Sequence, residues 1–325
     1  MKVSVKPYVG QHCESTATGT LLNQIDVELS EPMLFGLGEG LSFIVWNMKT
    51  MDFPFIGGRV KPDQLTANIA KNLRLRLTVK ETSSIAKAWQ GVKELLDDER
   101  AVGLKLDCYH LEYFSNPIHF AGHYVAMLGY DDHNAFLVDT NQQGSEVSTS
   151  LRSLELARNE KGPMSSRNLY YILEKDGKTT PLKDAAVAAI RSNVKVYLNP
   201  PIKNLGPSGI EKASEEIIKW FDRSKDIQTE FATSAMIMER AGTGGALFRN
   251  LYRDFLKEAY ELTANKVIGE AYAAFIDVAK SWSEVIALFE KVAQTGERTY
   301  VLQASQKLKA LSLQEKSAVE ILKAV

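Results

Sequence analysis

All ten prolines of this 325-residue chain lie at or before Pro207, and the last 118 residues contain none. Proline is the residue that most firmly interrupts a helix, so its absence leaves the C-terminal third free to form long helices. The apolar spacing there is helical. Ile210, Ala213, Ile217 and Trp220-Phe221 form one stripe, and Leu247, Leu251, Phe255, Ala259 and Leu262 a second. Ala271, Phe275, Val278, Ala279 and Trp282 form a third, and residues 297–325 continue in the same way. Ser208 with Glu211 reads as a capping box at the first of these helices. The segment 200–207, with Pro200, Pro201, Gly206 and Pro207, reads as a linker. The expected organisation is therefore a domain over 1–199, a linker over 200–207 and an all-α helical companion domain over 208–325.

The first part is mixed. Residues 13–25 and 86–96 have helical spacing, and Thr180-Pro181 opens a short helix. Runs 101–106, 123–130, 135–139 and 168–173 read as strands, and 194–198 as a closing strand. Helices first and antiparallel strands later give an α+β class rather than an alternating parallel one.

The sharpest chemical feature is Gly10-Gln11-His12-Cys13-Glu14-Ser15. Cys13 stands just before a helical run, where unsatisfied N–H groups and the helix dipole favour a thiolate nucleophile. The second feature is a hairpin. His123 starts one strand, Asp131 to Asn134 form the turn, and Asp139 ends the return strand. A symmetric turn would place Asp139 opposite Ala126, three residues or about 10 Å from His123. A bulge, for which Gly129 is a candidate, or a lopsided turn would close that gap. The residues alone leave both a His–Asp pair and a structural histidine open.

The blocks Gly10 to Ala17, Leu29 to Phe43 and His123 to Tyr130 with Val138-Asp139 resemble the butirosin biosynthesis protein H N-terminal family. They are also similar to papain-like, C39-type cysteine peptidases. Gly242 to Tyr252 resembles the helical domain of unknown function that often follows. The resemblance implies a papain-like domain with Cys13 as nucleophile, His123 as base and Asp139 as orienting carboxylate. It implies a cysteine acyltransferase moving an acyl group from a thioester donor, such as an acyl carrier protein, to the amine or alcohol of a small-molecule acceptor. An acyl-Cys13 intermediate and a place in antibiotic or other secondary metabolism follow from the same likeness. The chain departs from the papain pattern at the oxyanion-hole glutamine, whose position falls at Pro7. Gln11 and His12 are the nearest replacements. Glu39, in the glycine-flanked run 36–40, and Tyr109, beside Tyr113 and Phe114, are further substrate-contact candidates. Two other readings stay open: a papain-like peptidase or amidase, and an inactive binding module on the same fold.

Composition bounds the partners. Basic residues number 39 and acidic ones 40, which gives no general attraction to nucleic acid or anionic membrane. The apolar run 33–46 is short and carries Glu39, and the N-terminal residues lack the apolar block of a signal peptide, so a cytoplasmic location is expected. Cys108, His110, His119 and His123 follow no standard zinc spacing, and neither a metal nor a cofactor is expected. The apolar helical faces are compatible with a homodimer.

Overall fold

The computed structural model describes residues 2–48, 51–116, 118–162 and 165–325. In chain order its elements begin with α1 (Cys13–Gln24), α2 (Glu31–Leu37), β1 (Leu41–Trp46), β2 (Phe55–Arg59), α3 (Gln64–Leu73), β3 (Leu75–Lys80) and α4 (Ile85–Asp97). Then come β4 (Val102–Leu106), β5 (His123–Tyr130), β6 (Asn134–Val138), β7 (Glu146–Ser150), α5 (Leu151–Asn159) and β8 (Tyr170–Lys175). The chain ends in helices α6 (Leu182–Leu198), α7 (Gly206–Arg223), α8 (Ile227–Arg240), α9 (Arg249–Thr263), α10 (Lys266–Thr295) and α11 (Arg298–Ile321). The fold is α+β, with two antiparallel sheets and a helical C-terminal region. No helix among the described residues is long and apolar enough to cross a membrane.

Two compact units divide these elements. The first comprises residues up to Leu34 together with Pro62–Thr180, and the second comprises Phe35–Lys61 with Pro181–Val325. The first unit is built on a six-stranded antiparallel sheet ordered β3-β8-β4-β5-β6-β7. β5 is central and buried on both faces, which is why its sequence is a continuous apolar run rather than an alternation. α1 packs against β5 and β4. Every residue of α1 from Glu14 to Leu22 is buried, so it shows no single apolar stripe, as expected of a helix enclosed on all sides. Gly19 serves this enclosure. A Cβ there would meet the Tyr8 ring at 2.5 Å.

The second unit holds the β1–β2 hairpin and helices α6 to α11. Arg249, fully buried, joins them. It donates to the carbonyls of Ser42 (3.0 Å) and Gly58 (3.0 Å), and to both oxygens of the equally buried Glu315 (2.6 and 3.1 Å). Glu315 also accepts from the Trp282 indole at 2.6 Å and from the Tyr197 hydroxyl. This network explains why β1 and β2 pack with the helices rather than with the six-stranded sheet, whose strands all follow them in the chain.

Several local expectations differ from the structure. Residues 194–198 are the last turns of α6, not a strand. Their β-branched and aromatic character suggested extension, but burial at Ile190, Asn193, Val194 and Tyr197 has a helical period, and Val196 faces solvent. The helix after Thr180-Pro181 runs 17 residues, with Pro181 as its N-cap. α7 begins at Gly206, ahead of the expected capping box, with no side-chain cap. Gly206, at φ +58°, turns the chain and Pro207 fills the first helical turn, where a missing N–H costs nothing. In the run 36–40 the left-handed residue is Glu39 (φ +52°), not a glycine. Gly36 is there for contact, since a Cβ would lie 2.1 Å from the Phe255 ring.

Removing one partner of a buried pair strands the other's charge, at a typical cost of about 3–5 kcal/mol. Glu315→Ala should therefore lower unfolding stability by about that amount in urea titrations. An unchanged midpoint would contradict the role assigned to this network.

Candidate active site

The site starts from one carboxylate. Glu31, the first residue of α2, accepts from the backbone N–H groups of Gln11 (3.0 Å) and His12 (2.8 Å) and from the Ser15 hydroxyl (2.7 Å). It thereby fixes the turn that leads into α1. His12 is the N-cap, and its Nδ1 accepts from the Ser15 N–H at 3.4 Å. Cys13 follows as the first helical residue and is partly exposed. The positive end of the helix dipole thus lies beside its sulfur.

The opposite wall is the β5–β6 hairpin. Tyr130 pairs with Ala135 and Gly129 with Phe136, whereas Met127 pairs with Leu137 and Ala126 with Val138. One extra residue, Leu128, is therefore accommodated in β5 as a bulge. The bulge has a parity effect. Without it Asp139 would lie opposite Ala126 and point away from His123. With it Asp139 falls one step beyond the Ala126–Val138 pair, on the same face as His123 and diagonal to it. His123 Nε2 and Asp139 Oδ2 are 2.8 Å apart. The Cys13 side chain lies close enough to the His123 imidazole to help hold its proton. A backbone bond from Asn141 N–H to the Gly10 carbonyl (2.8 Å) ties the exit of β6 to the loop that carries Cys13.

Asp139 is fully buried and fully used. Besides His123 it accepts from the Tyr113 hydroxyl at 2.7 Å and from the Thr140 N–H at 2.6 Å. Burial pushes its carboxyl up, but the charge and hydrogen bond of His123, with the Thr140 and Tyr113 bonds, hold it below the ordinary 3.8. Burial likewise pushes the His123 imidazolium down. The Asp139 charge and hydrogen bond, with the Cys13 contact, outweigh that and raise it well above 6.5. Phe114 stands edge-on to the imidazole, with ring centroids 5.4 Å apart. The second thiol behaves differently. Cys108 is buried, its Sγ donates to the Ile118 carbonyl, and burial pushes it up to about 11.

Cys13, His123 and Asp139 are thus brought together. Gln11 is exposed, and its backbone rather than its amide is held, by Glu31. His12 is buried and caps α1 with its ring. Glu39 belongs to the second unit and accepts from the Ser192 hydroxyl at 2.6 Å. Tyr109 stacks on His119 instead of His123. Two contributors escaped the sequence reading. Glu31 stood only as one residue of the Leu29 to Phe43 block, and Tyr113 was one aromatic among several. Outside this site, ligand-type side chains converge among the described residues at His110, His119 and Glu160.

Fold and site together define an α+β protein with a Cys–His–Asp arrangement at the start of a buried helix. The family described as Butirosin biosynthesis protein H, N-terminal, matches residues 12–140, and the Domain of unknown function (DUF4872) matches residues 152–322. The chain belongs to this family, with the DUF4872 domain as its C-terminal part. No curated protein matches it.

The raised His123 and lowered Asp139 values set a pH signature. A raised histidine stabilises the fold fully below about 6.5, and this is lost as pH rises through the raised value. A lowered aspartate stabilises it fully above 3.8, and this is lost as pH falls through the lowered value. Asp139→Asn should therefore destabilise most between about pH 4 and 6.5, with the difference shrinking in alkali. Urea midpoints across pH would show this. NMR titration of labelled histidine should find the His123 transition well above 6.5 in the native protein and lower in the variant.

Proposed function

We propose that the first unit is a papain-like acyltransferase domain and that Cys13, His123 and Asp139 are its catalytic residues. The observation that carries this reading is the position of His123, bonded to Asp139 at 2.8 Å and beside the Cys13 side chain, which adds to the raising of its imidazolium. A structural histidine needs neither a partly exposed thiol at a helix start nor a buried carboxylate behind it. A buried helix headed by Cys13, packed on an antiparallel sheet that carries the histidine and aspartate, also suits the papain-like assignment. The chain's family is named for butirosin biosynthesis, which favours a biosynthetic enzyme and hence transfer over proteolysis.

The chemistry balances with these residues alone. With the Cys13 proton already on His123, as the raised imidazolium favours, the Sγ thiolate attacks the carbonyl carbon of an acyl thioester, forming a C–S bond and a tetrahedral oxyanion. A backbone N–H at the α1 turn is the natural first donor to that oxyanion. The Gln11 amide, exposed on the same turn, is our choice for the second donor. Collapse expels the donor thiolate, which takes the proton from His123 and leaves acyl-Cys13. An acceptor amine or alcohol then attacks the acyl carbon, His123 takes its proton, and the Cys13 sulfur leaves as the new bond forms. Asp139 holds the imidazole in place and stabilises its cation throughout. A phosphopantetheine-borne donor and a small-molecule acceptor complete the reading, and DUF4872 would serve as the companion domain.

Intact-mass analysis with a panel of acyl thioesters tests it. The native chain should gain one acyl mass, and Cys13→Ala should gain none. Asp139→Asn should acylate about 10²–10⁴-fold more slowly. The absence of an adduct with every thioester and with an electrophilic thiol probe would favour the inactive-module reading. Rapid loss of the adduct to water, undiminished by added amines, would favour a hydrolase.

A further inference from the structure

The segment between β4 and β5 carries two histidines that the Cys13 site does not use. His110 ends a 3-10 turn over Cys108–His110, and His119 lies in the loop returning to β5. Glu160, at the C-cap of α5, meets them although it is 50 residues from His110 along the chain. The ligand atoms of the three all lie within 4.8 Å of one another. His110 Nε2 and Glu160 Oε2 are already 2.6 Å apart. His119 is exposed, so the cluster is reachable from solvent.

A surface ion pair would account for His110 and Glu160 alone. It would not account for a second imidazole held in place by a buried carboxylate. Asp107 is 2% exposed, and its Oδ2 lies 3.2 Å from His119 Nδ1. Its Oδ1 accepts from the Tyr109 N–H (2.9 Å) and the Phe120 N–H (3.0 Å), so the carboxylate cannot swing away freely. The Tyr109 ring lies on His119 with centroids 3.8 Å apart and planes 12° apart, and it meets His110 edge-on at 5.2 Å. A carboxylate behind one imidazole nitrogen leaves the other nitrogen as an oriented ligand, the arrangement that supports histidine ligands at metal centres.

We propose that His110, His119 and Glu160 bind a zinc-type divalent cation, with Asp107 orienting His119 from behind. Two imidazoles and one carboxylate suit a borderline ion that accepts four ligands, and they disfavour magnesium and calcium, which prefer oxygen. Ligands at about 2.0–2.2 Å from one ion stand about 3.3 Å apart, so an opening within 4.8 Å needs only side-chain adjustment. On binding, the proton shared by His110 and Glu160 leaves to solvent and the ion takes its place. The ion would clip the 107–120 segment to the end of α5. That segment supplies Tyr113 to Asp139 and Phe114 to His123. The proposal is independent of acyl transfer.

The test uses the full chain carrying Cys13→Ala, so that a thiolate at residue 13 cannot hold the ion. Metal-free protein is titrated calorimetrically with Zn²⁺, and with Co²⁺ for its visible absorption. One ion per chain should bind, with a cobalt spectrum lacking thiolate charge transfer and a raised melting temperature. Asp107→Asn should weaken binding about 10–100-fold, and His119→Ala and Glu160→Gln at least as much. His119 is exposed, so its variant should fold, and circular dichroism checks this. The absence of stoichiometric binding, or binding that survives His119→Ala in folded protein, would overturn the proposal.

Discussion

The carboxylate of Asp139 sets the terms for the first unit. A charged group with no solvent exposure is tolerated only where donors fill its lone pairs, because desolvating it unpaired costs several kcal/mol. Three donors do so: the His123 imidazole, the Tyr113 hydroxyl and the Thr140 N–H. They come from β5, from the segment before it and from the exit of β6. Satisfying one buried charge therefore brings three stretches of chain into register. The Asn141–Gly10 bond then adds a fourth, the turn into α1. Contact between His123 and Cys13 follows from that convergence.

The second unit meets the same constraint with a different outcome. Glu315 is buried as deeply as Asp139 and takes donors from Arg249, Trp282 and Tyr197. Arg249 carries a permanent charge and sits among carbonyls and indole, with no partly exposed nucleophile among its hydrogen-bond partners. The network anchors the β1–β2 hairpin to the helices, and its basic side chain, a guanidinium, does not give up its proton at working pH. At Asp139 the partner is an imidazole, which can. The identity of one basic side chain thus separates a structural centre from a chemically competent one.

Much of the site was legible along the chain because its signals are local. A cysteine before a helical run and a histidine and an aspartate on the two strands of a hairpin are short-range patterns. Even the mismatch between His123 and Asp139 could be calculated, and a bulge named as its remedy. Its place at Leu128, next to the suggested Gly129, is set by how β5 packs between β4 and β6. Glu31 and Tyr113 were not legible in the same way, since each acts on residues distant in sequence. The segment 194–198 misled for a related reason. Its local character favours a strand, and only the buried face of α6 overrides it.

The sequence by itself determined that the C-terminal third is helical, that the fold mixes helices with antiparallel strands, and that Cys13 heads a helix. These depend on proline placement, apolar period and turn residues, which act over a few positions. Only the tertiary structure decided that residues 35–61 pack with the helices, that Asp139 shares a face with His123, and that His110, His119 and Glu160 converge. Each of these depends on contacts between residues far apart in the chain, where burial of charge and packing of side chains outweigh any local preference.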